Sequence, residues 1–145
     1  MAKVLIVYHS QGGTTEAMAR AVSDGALSVT GANVSLKKAT EATADDLLGC
    51  DAVAFGTPNY FGYMAGGLKD YFDRTWASLR GRLANKPYAT FGSAGSGGKQ
   101  ALDSLEKLLS NFGMKKASDS VITTGKEVGS IFGQCRELGK KLAQL

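Results

Sequence analysis

The chain is poor in the residues that fix several kinds of protein chemistry. It holds two cysteines, one histidine, two prolines and one tryptophan among 145 residues. Cys50 and Cys135 stand far apart with no CxxC spacing, and His9 alone cannot complete a metal site with them. A disulfide framework, a structural zinc site and a Cys/His nucleophile pair are all poorly supported, so two buried, reduced thiols are expected. No apolar run approaches the roughly eighteen residues that crossing a bilayer requires. The opening Met1-Ala2-Lys3-Val4-Leu5-Ile6-Val7-Tyr8 is too short an apolar stretch for a secretion signal, and no small-residue cleavage site follows it. The expectation is a cytoplasmic protein with no membrane insertion.

Charge of one sign is also lacking. Seventeen Lys and Arg face thirteen Asp and Glu, a net charge of +4. The basic residues are spread from Lys3 to Lys141, and only Lys37-Lys38, Lys115-Lys116 and Lys140-Lys141 are adjacent. Nucleic-acid binders gather such charge on one face, so no nucleic-acid partner is expected. With 43% hydrophobic and 21% charged residues the composition is globular and excludes disorder as the main state. The length suits one domain, residues 1–145.

What the chain does have is glycine: 19 residues, nearly twice the usual ~7%. Their positions become informative once the elements are drawn. Lys3–Tyr8, Asn33–Lys37, Ala52–Thr57, Tyr88–Ser93 and Ser120–Thr124 read as strands. Three of these are almost continuously apolar, as strands covered on both faces are. Helical spacing lies between them. Met18, Ala21, Val22 and Val29 share one face. Leu68, Tyr71, Phe72, Thr75 and Leu79 share a second, and Leu102, Leu105, Leu108, Leu109 and Phe112 a third. Val128, Ile131, Cys135, Leu138 and Leu142 form a fourth, and Thr40–Leu48 a shorter, weaker helix. Strand and helix alternate throughout, which predicts an α/β doubly wound three-layer sandwich around a parallel sheet.

In such sheets ligands sit beyond the carboxyl ends of the strands. Three loops rich in Gly, Ser, Thr and Asn fall at that edge: Ser10–Thr15, Thr57–Gly67 and Gly92–Gly98. The opposite edge carries ordinary connectors such as Gly31-Ala32 and Arg80–Lys86. The first loop, Ser10-Gln11-Gly12-Gly13-Thr14-Thr15, runs from a strand into a helix, whose first amides have no internal partners. Those amides and the Ser10, Thr14 and Thr15 hydroxyls suit a phosphate, held without the lysine of a Walker loop. A capped turn without ligand is the plainer alternative. The second loop places Pro58, Tyr60, Phe61 and Tyr63 where a flat ligand would stack, unless Phe61 and Tyr63 turn inward as core. Gly62 beside Phe61 gives a peptide that reverses cheaply. The third loop, Ser93 to Gly98, has little side-chain bulk, so its backbone can approach a ligand. It misses both the Walker pattern and GxGxxG, because Gln100 stands where each needs another residue.

Together these segments resemble the flavodoxin-like FMN-binding family across essentially the whole chain. Ser10–Thr15 is similar to its phosphate loop, with Gly12 in place of a hydroxyl residue. Gly56-Thr57-Pro58-Asn59-Tyr60-Phe61-Gly62-Tyr63-Met64-Ala65-Gly66, continuing through Leu68–Thr75, is similar to the WrbA-type NAD(P)H:quinone oxidoreductases. Cys135-Arg136-Glu137-Leu138-Gly139-Lys140-Lys141-Leu142 instead resembles short flavodoxins. WrbA-type enzymes carry a further loop before the last helix, for which Lys115–Glu127 leaves no room.

The resemblance implies a five-stranded sheet of order 2-1-3-4-5 and non-covalent FMN. It implies cofactor contacts at Ser10, Gln11, Gly12, Gly13, Thr14, Thr15, Thr57, Pro58, Asn59, Tyr60, Phe61, Gly62, Ser93, Ala94, Gly95 and Gly98, with no catalytic side chain and no metal. The phosphate is placed on Ser10–Thr15 and the ring between Pro58–Gly62 and Ser93–Gly98, with the Phe61 carbonyl turning toward the flavin N5 on reduction. Three functions remain open: an electron carrier between redox partner proteins, a quinone reductase acting on small quinones as an oligomer, and a flavin-free binding module. A basic carrier is expected to dock onto acidic surfaces.

Overall fold

The computed structural model describes residues 2–95, 99–124 and 128–145. The chain alternates β1 (Lys3–Tyr8), α1 (Thr14–Leu27), β2 (Asn33–Lys38), α2 (Ala44–Gly49), β3 (Ala52–Pro58), α3 (Gly66–Leu79), β4 (Pro87–Ser93) and α4 (Gln100–Asn111). It ends with two short strands, β5 (Lys115–Lys116) and β6 (Val121–Thr123), and α5 (Val128–Ala143). All pairings are parallel, in the order β2-β1-β3-β4-β5, with β6 also on β4. This is the strand order that the resemblance implies.

The fifth strand position differs from the expectation of one strand at Ser120–Thr124. Lys115–Lys116 pairs with Pro87 and Tyr88, the chain then leaves the sheet, and pairing resumes with Val121 opposite Phe91. After Ala117, whose amide still donates to Tyr88 O at 2.8 Å, the interruption Ser118-Asp119-Ser120 consists of residues that compete for backbone hydrogen bonds and favour turns. Glu106 on α4 bridges the gap. Its carboxylate accepts from the Thr90 and Ser120 hydroxyls, each at 2.7 Å, and from Lys116 Nζ at 3.0 Å. The second helix also starts later than the Thr40–Leu48 periodicity suggests, at Ala44. Thr43 and Asp46 form a reciprocal capping box there, which satisfies two amides that a helix starting at Ala44 would otherwise leave without an internal partner.

Alternation along the strands builds two cores. Val4, Ile6, Ala52, Ala54 and Ala89 face α1 and α5, whereas Leu5, Val7, Val53 and Phe55 face α3 and α4. Small strand residues on the first face let α1 and α5 come close to the sheet and to each other. Cys50 lies in one core and Cys135 in the other; burial pushes their thiols up to about 11 and about 12. Both are inert packing residues under ordinary conditions. Among the described residues no helix is long and apolar enough to cross a membrane, and no cluster of metal-ligating side chains is present.

Candidate functional site

Strands β1, β3 and β4 are neighbours, so their carboxyl ends bring three loops to one rim. A cleft of about 250 Å³ opens there. Ser10, Gln11, Gly12, Thr14 and Thr15 form one wall, Pro58, Asn59 and Tyr60 a second, and Ser93, Ala94 and Gly95 a third. A larger hollow of about 1020 Å³ follows α5 between Ser118 and Gln144, but it is an open groove remote from the glycine loops. Convergent polar groups, not size, mark the rim cleft as the site.

The first wall is an anion cradle by construction. Gly13 is the N-cap of α1, with φ +98°, a conformation that only glycine adopts cheaply. Its amide donates to Ser10 Oγ at 3.1 Å, which shapes the loop and leaves the Ser10 hydroxyl proton free to point elsewhere. No side chain caps the helix, so the amides of Thr14, Thr15 and Glu16 in its first turn face the rim with their partial positive charge. A Cβ at Gly12 or Gly13 would meet nothing within 4 Å, so the surface above the loop is open. Thr15 is buried, and its hydroxyl lies 2.9 Å from that of Ser93, tying the first wall to the third.

No residue in the wall carries a charge. The nearest carboxylate, Glu16, is turned aside: it accepts from the Tyr8 hydroxyl at 3.1 Å and from Arg20 at 3.4 Å. Burial and then this carboxylate push the Tyr8 phenol above its ordinary value. An anion on the loop is therefore matched by dipoles rather than by a cation, with the Glu16 carboxylate engaged by Tyr8 and Arg20 beside it.

The second loop is built differently from its sequence-based picture. Tyr60 and Tyr63 exchange backbone hydrogen bonds, each 3.1 Å, across a two-residue turn. Phe61 and Gly62 occupy it with φ +55° and +74°, the signs a type I′ turn demands. Phe61 is fully exposed and Tyr63 is 43% exposed, so neither joins the core. Thr57 lies behind the wall, buried; its hydroxyl donates to Pro58 O at 2.8 Å and accepts from Ala65 N at 2.9 Å. Of the predicted contacts, Gly13, Thr57, Phe61 and Gly62 thus shape the loops without lining the cleft, and Gly98 lies outside the described residues.

Three supporting residues escaped the sequence reading. Asn59 Nδ2 donates to Gln100 Oε1 at 3.1 Å, and Met64 N donates to Ser104 Oγ at 3.1 Å, which anchors the second loop on α4. His9 packs so closely on α3 that a Cβ at Gly67 would come within 2.5 Å of its Nδ1, and its ring meets Tyr60 edge-on at 6.1 Å. Only the glycine at 67 hinted at that contact.

The fit to FMN follows from this donor set. A cradle of amides and hydroxyls suits a phosphate monoester. A broad opening beside Tyr60 and the low backbone of Ser93–Gly95 suits a planar ring. Comparison with known proteins agrees. Residues 21–128 match the sequence model of the NADPH-dependent FMN reductase family. A flavodoxin of Aquifex aeolicus is 33% identical, aligned over 99% of this chain and 86% of its own length. A solved flavodoxin from the Archaea superposes with a TM-score of 0.84 at 24% identity, covering 98% of this chain and 96% of its own. A WrbA-like protein from Agrobacterium tumefaciens reaches 0.78 at 23% identity, over 99% and 96%. The structural likenesses show the fold, while the family model and the Aquifex relative go further: the chain belongs to the flavodoxin-like FMN-binding family.

Proposed function

We propose that the rim cleft holds FMN non-covalently, with its phosphate on Ser10–Thr15 and its ring between the Pro58–Gly62 and Ser93–Gly95 segments, and that the protein carries electrons between redox partner proteins. The observation that carries this reading is the composition of the wall. It offers amides, hydroxyls and an aromatic ring, and no carboxylate, imidazole or ammonium group.

Bound FMN supplies the one- and two-electron chemistry, and the chain's own residues bind, orient and shield it. The first-turn amides of α1 and the Ser10 and Thr15 hydroxyls hold the anion. The Thr15–Ser93 contact keeps the phosphate loop in register with the backbone that flanks the ring. Asn59 and Gln100, together with Thr57 and Ser104, hold the Pro58–Met64 loop at a fixed height above the sheet. The carrier reading is supported by the Lys115–Glu127 segment, which is too short for the further loop that WrbA-type enzymes carry before the last helix.

The second reading is a quinone reductase of the WrbA type, favoured by the Gly56–Gly66 segment. Steady-state oxidation of NADPH with benzoquinone by the purified protein separates the two. The carrier predicts negligible turnover until a reductase partner is added. Substantial turnover by the protein alone would overturn the carrier reading.

A further inference from the structure

Acidic residues are unevenly spread along this chain. Residues 74–102 and 107–118 contain no Asp or Glu. The fold brings parts of both stretches together at the end of the sheet opposite the rim. There α3 ends at Leu79, α4 ends at Asn111, and the chain turns into β4 and β5. Asn85 N donates to Gly113 O at 2.8 Å and joins the two turns, in which Gly81, Asn85 and Gly113 all take positive φ. These turns carry Arg80, Arg82 and Lys115, and Lys107 stands one turn before the end of α4.

Some of the basic side chains here are already engaged. Lys86 Nζ donates to Leu47 O, Leu48 O and Cys50 O and so closes the end of α2, and Lys116 pairs with Glu106. Asp51, which precedes β3 at this end of the sheet, accepts from Lys3 N at 2.8 Å. Arg80, Arg82, Lys107 and Lys115 are exposed and form no ion pair among the described residues. A helix C-terminus carries about half a negative charge, so the ends of α3 and α4 together offset about one of these cations. Beside them stands Trp76, one turn before Arg80 on α3. Its ring lies flat on that of Phe112, with centroids 4.7 Å apart and planes 20° apart, yet the residue is 39% exposed. The stack spans from α3 to the end of α4 and holds the indole at the surface.

We propose that this pole is a peripheral docking surface for an anionic lipid bilayer, with Trp76 at headgroup level and Arg80, Arg82, Lys107 and Lys115 around it. The inference is independent of what the rim cleft holds. Arg80, Gly81, Arg82, Ala84 and Asn85 are all exposed, so the charges ride on a ridge rather than in a groove. A charged sheet of lipid attracts protruding Lys and Arg without demanding fixed geometry, and indole is a side chain that settles at the bilayer interface. A nucleic acid would use a track of aromatic rings as base platforms, whereas Trp76 is a single ring with one face covered by Phe112. Docked in this way, the chain keeps its rim turned away from the bilayer, because the rim lies at the other ends of the same strands.

Trp76 is the only tryptophan in the chain, so intrinsic emission reports on this pole. The purified protein is titrated with vesicles of phosphatidylcholine, with and without phosphatidylglycerol, and followed by sedimentation and by emission. The anionic vesicles are expected to bind about tenfold more tightly or better, to lose that advantage at high salt, and to shift Trp76 emission to shorter wavelength. No preference for the anionic vesicles, or binding that leaves the emission unchanged, would overturn the proposal. Two double variants with the same net charge then locate the contact. Arg80→Gln with Arg82→Gln is expected to weaken binding about tenfold or more, and Lys38→Gln with Lys99→Gln, at the rim end, less than about threefold. Melting curves confirm that both variants are folded. Equal losses would show that net charge alone drives binding and would overturn the assignment to this pole. Duplex DNA bound as tightly as the anionic vesicles at the same salt would overturn the assignment to lipid.

Discussion

Two groups of glycine in this molecule do opposite jobs. Where α1 crosses α5, a Cβ at Gly25 would lie 1.9 Å from Arg136 O, and one at Gly139 would lie 1.9 Å from Val22 O. On the rim, a Cβ at Gly12, Gly13 or Gly95 would meet nothing within 4 Å. The first group removes side chains so that two helices can touch through their backbones. The second leaves space above a loop and permits a left-handed turn at Gly13 and Gly95. Glycine content alone therefore says little. Each glycine is informative only once its neighbours are known, since open surroundings also occur away from the rim, at Gly49 and Gly81.

The contrast can be broken most severely at the helix crossing. Gly139→Ala is expected to lose about 3 kcal/mol of stability, because backbone cannot yield to the new methyl as a side-chain tip would. Urea denaturation of the apoprotein measures this, and a loss below about 0.5 kcal/mol would mean that the helices separate freely.

The rim should respond in ligand affinity instead. Ser10→Ala and Thr15→Val are each expected to weaken FMN by about 1–3 kcal/mol through lost hydrogen bonds to a charged group. Thr15→Val should also cost some stability, since the Ser93 hydroxyl loses its 2.9 Å partner. Fluorescence titration of FMN against both variants, beside their melting curves, separates the two effects.

Gly13→Ala is expected to cost about 1–2 kcal/mol, from left-handed strain at φ +98° rather than from any clash. Gly12→Ala should leave stability within about 0.5 kcal/mol while lowering FMN affinity. Equal stability losses at positions 12 and 13 would remove the distinction between conformation and space.

The smallest effect concerns the interrupted sheet edge. Burial opposes the charge of Glu106, but hydrogen bonds from Ser120, Thr90 and Lys116 outweigh it and hold the carboxyl below its usual value. A lowered folded value means that its stabilisation is complete above the unfolded pKa, near ~4.3, and disappears as pH falls through the folded value. Glu106→Gln should therefore lower stability at neutral pH by about 1 kcal/mol and flatten the acid limb of the stability curve. A limb unchanged in the variant would place the acid sensitivity elsewhere.

The parts legible from sequence were those governed by periodicity and by chain order. β1 and β3 announce themselves as nearly unbroken apolar runs, and the alternation of elements leads to a parallel sheet between helix layers, while the strand order comes from the family resemblance. The three rim loops follow from the same logic, since only the carboxyl ends of the strands collect Gly, Ser, Thr and Asn. What escaped detection depended on single tertiary contacts. The split of the last strand rests on Glu106, a helix residue distant in sequence from the Ser120 it holds. The turn at Phe61 was hidden because a phenylalanine gives no sign that it will adopt positive φ. Gly62 alone suggested a cheap peptide reversal. In the observed turn, reversal would give the type II′ form and leave Phe61 at the position that asks for glycine, so the motion costs more than the sequence implied.

The claim on which the account turns is that uncharged donors at the start of α1 hold the phosphate of FMN. Parallel titrations with FMN and with riboflavin, which lacks the phosphate, test it directly. The account predicts that FMN binds at least a hundredfold more tightly, a gap of about 2.7 kcal/mol, and that the Ser10→Ala, Thr15→Val double variant closes most of the gap. Equal affinity for the two flavins, or a gap untouched by the double variant, would contradict it.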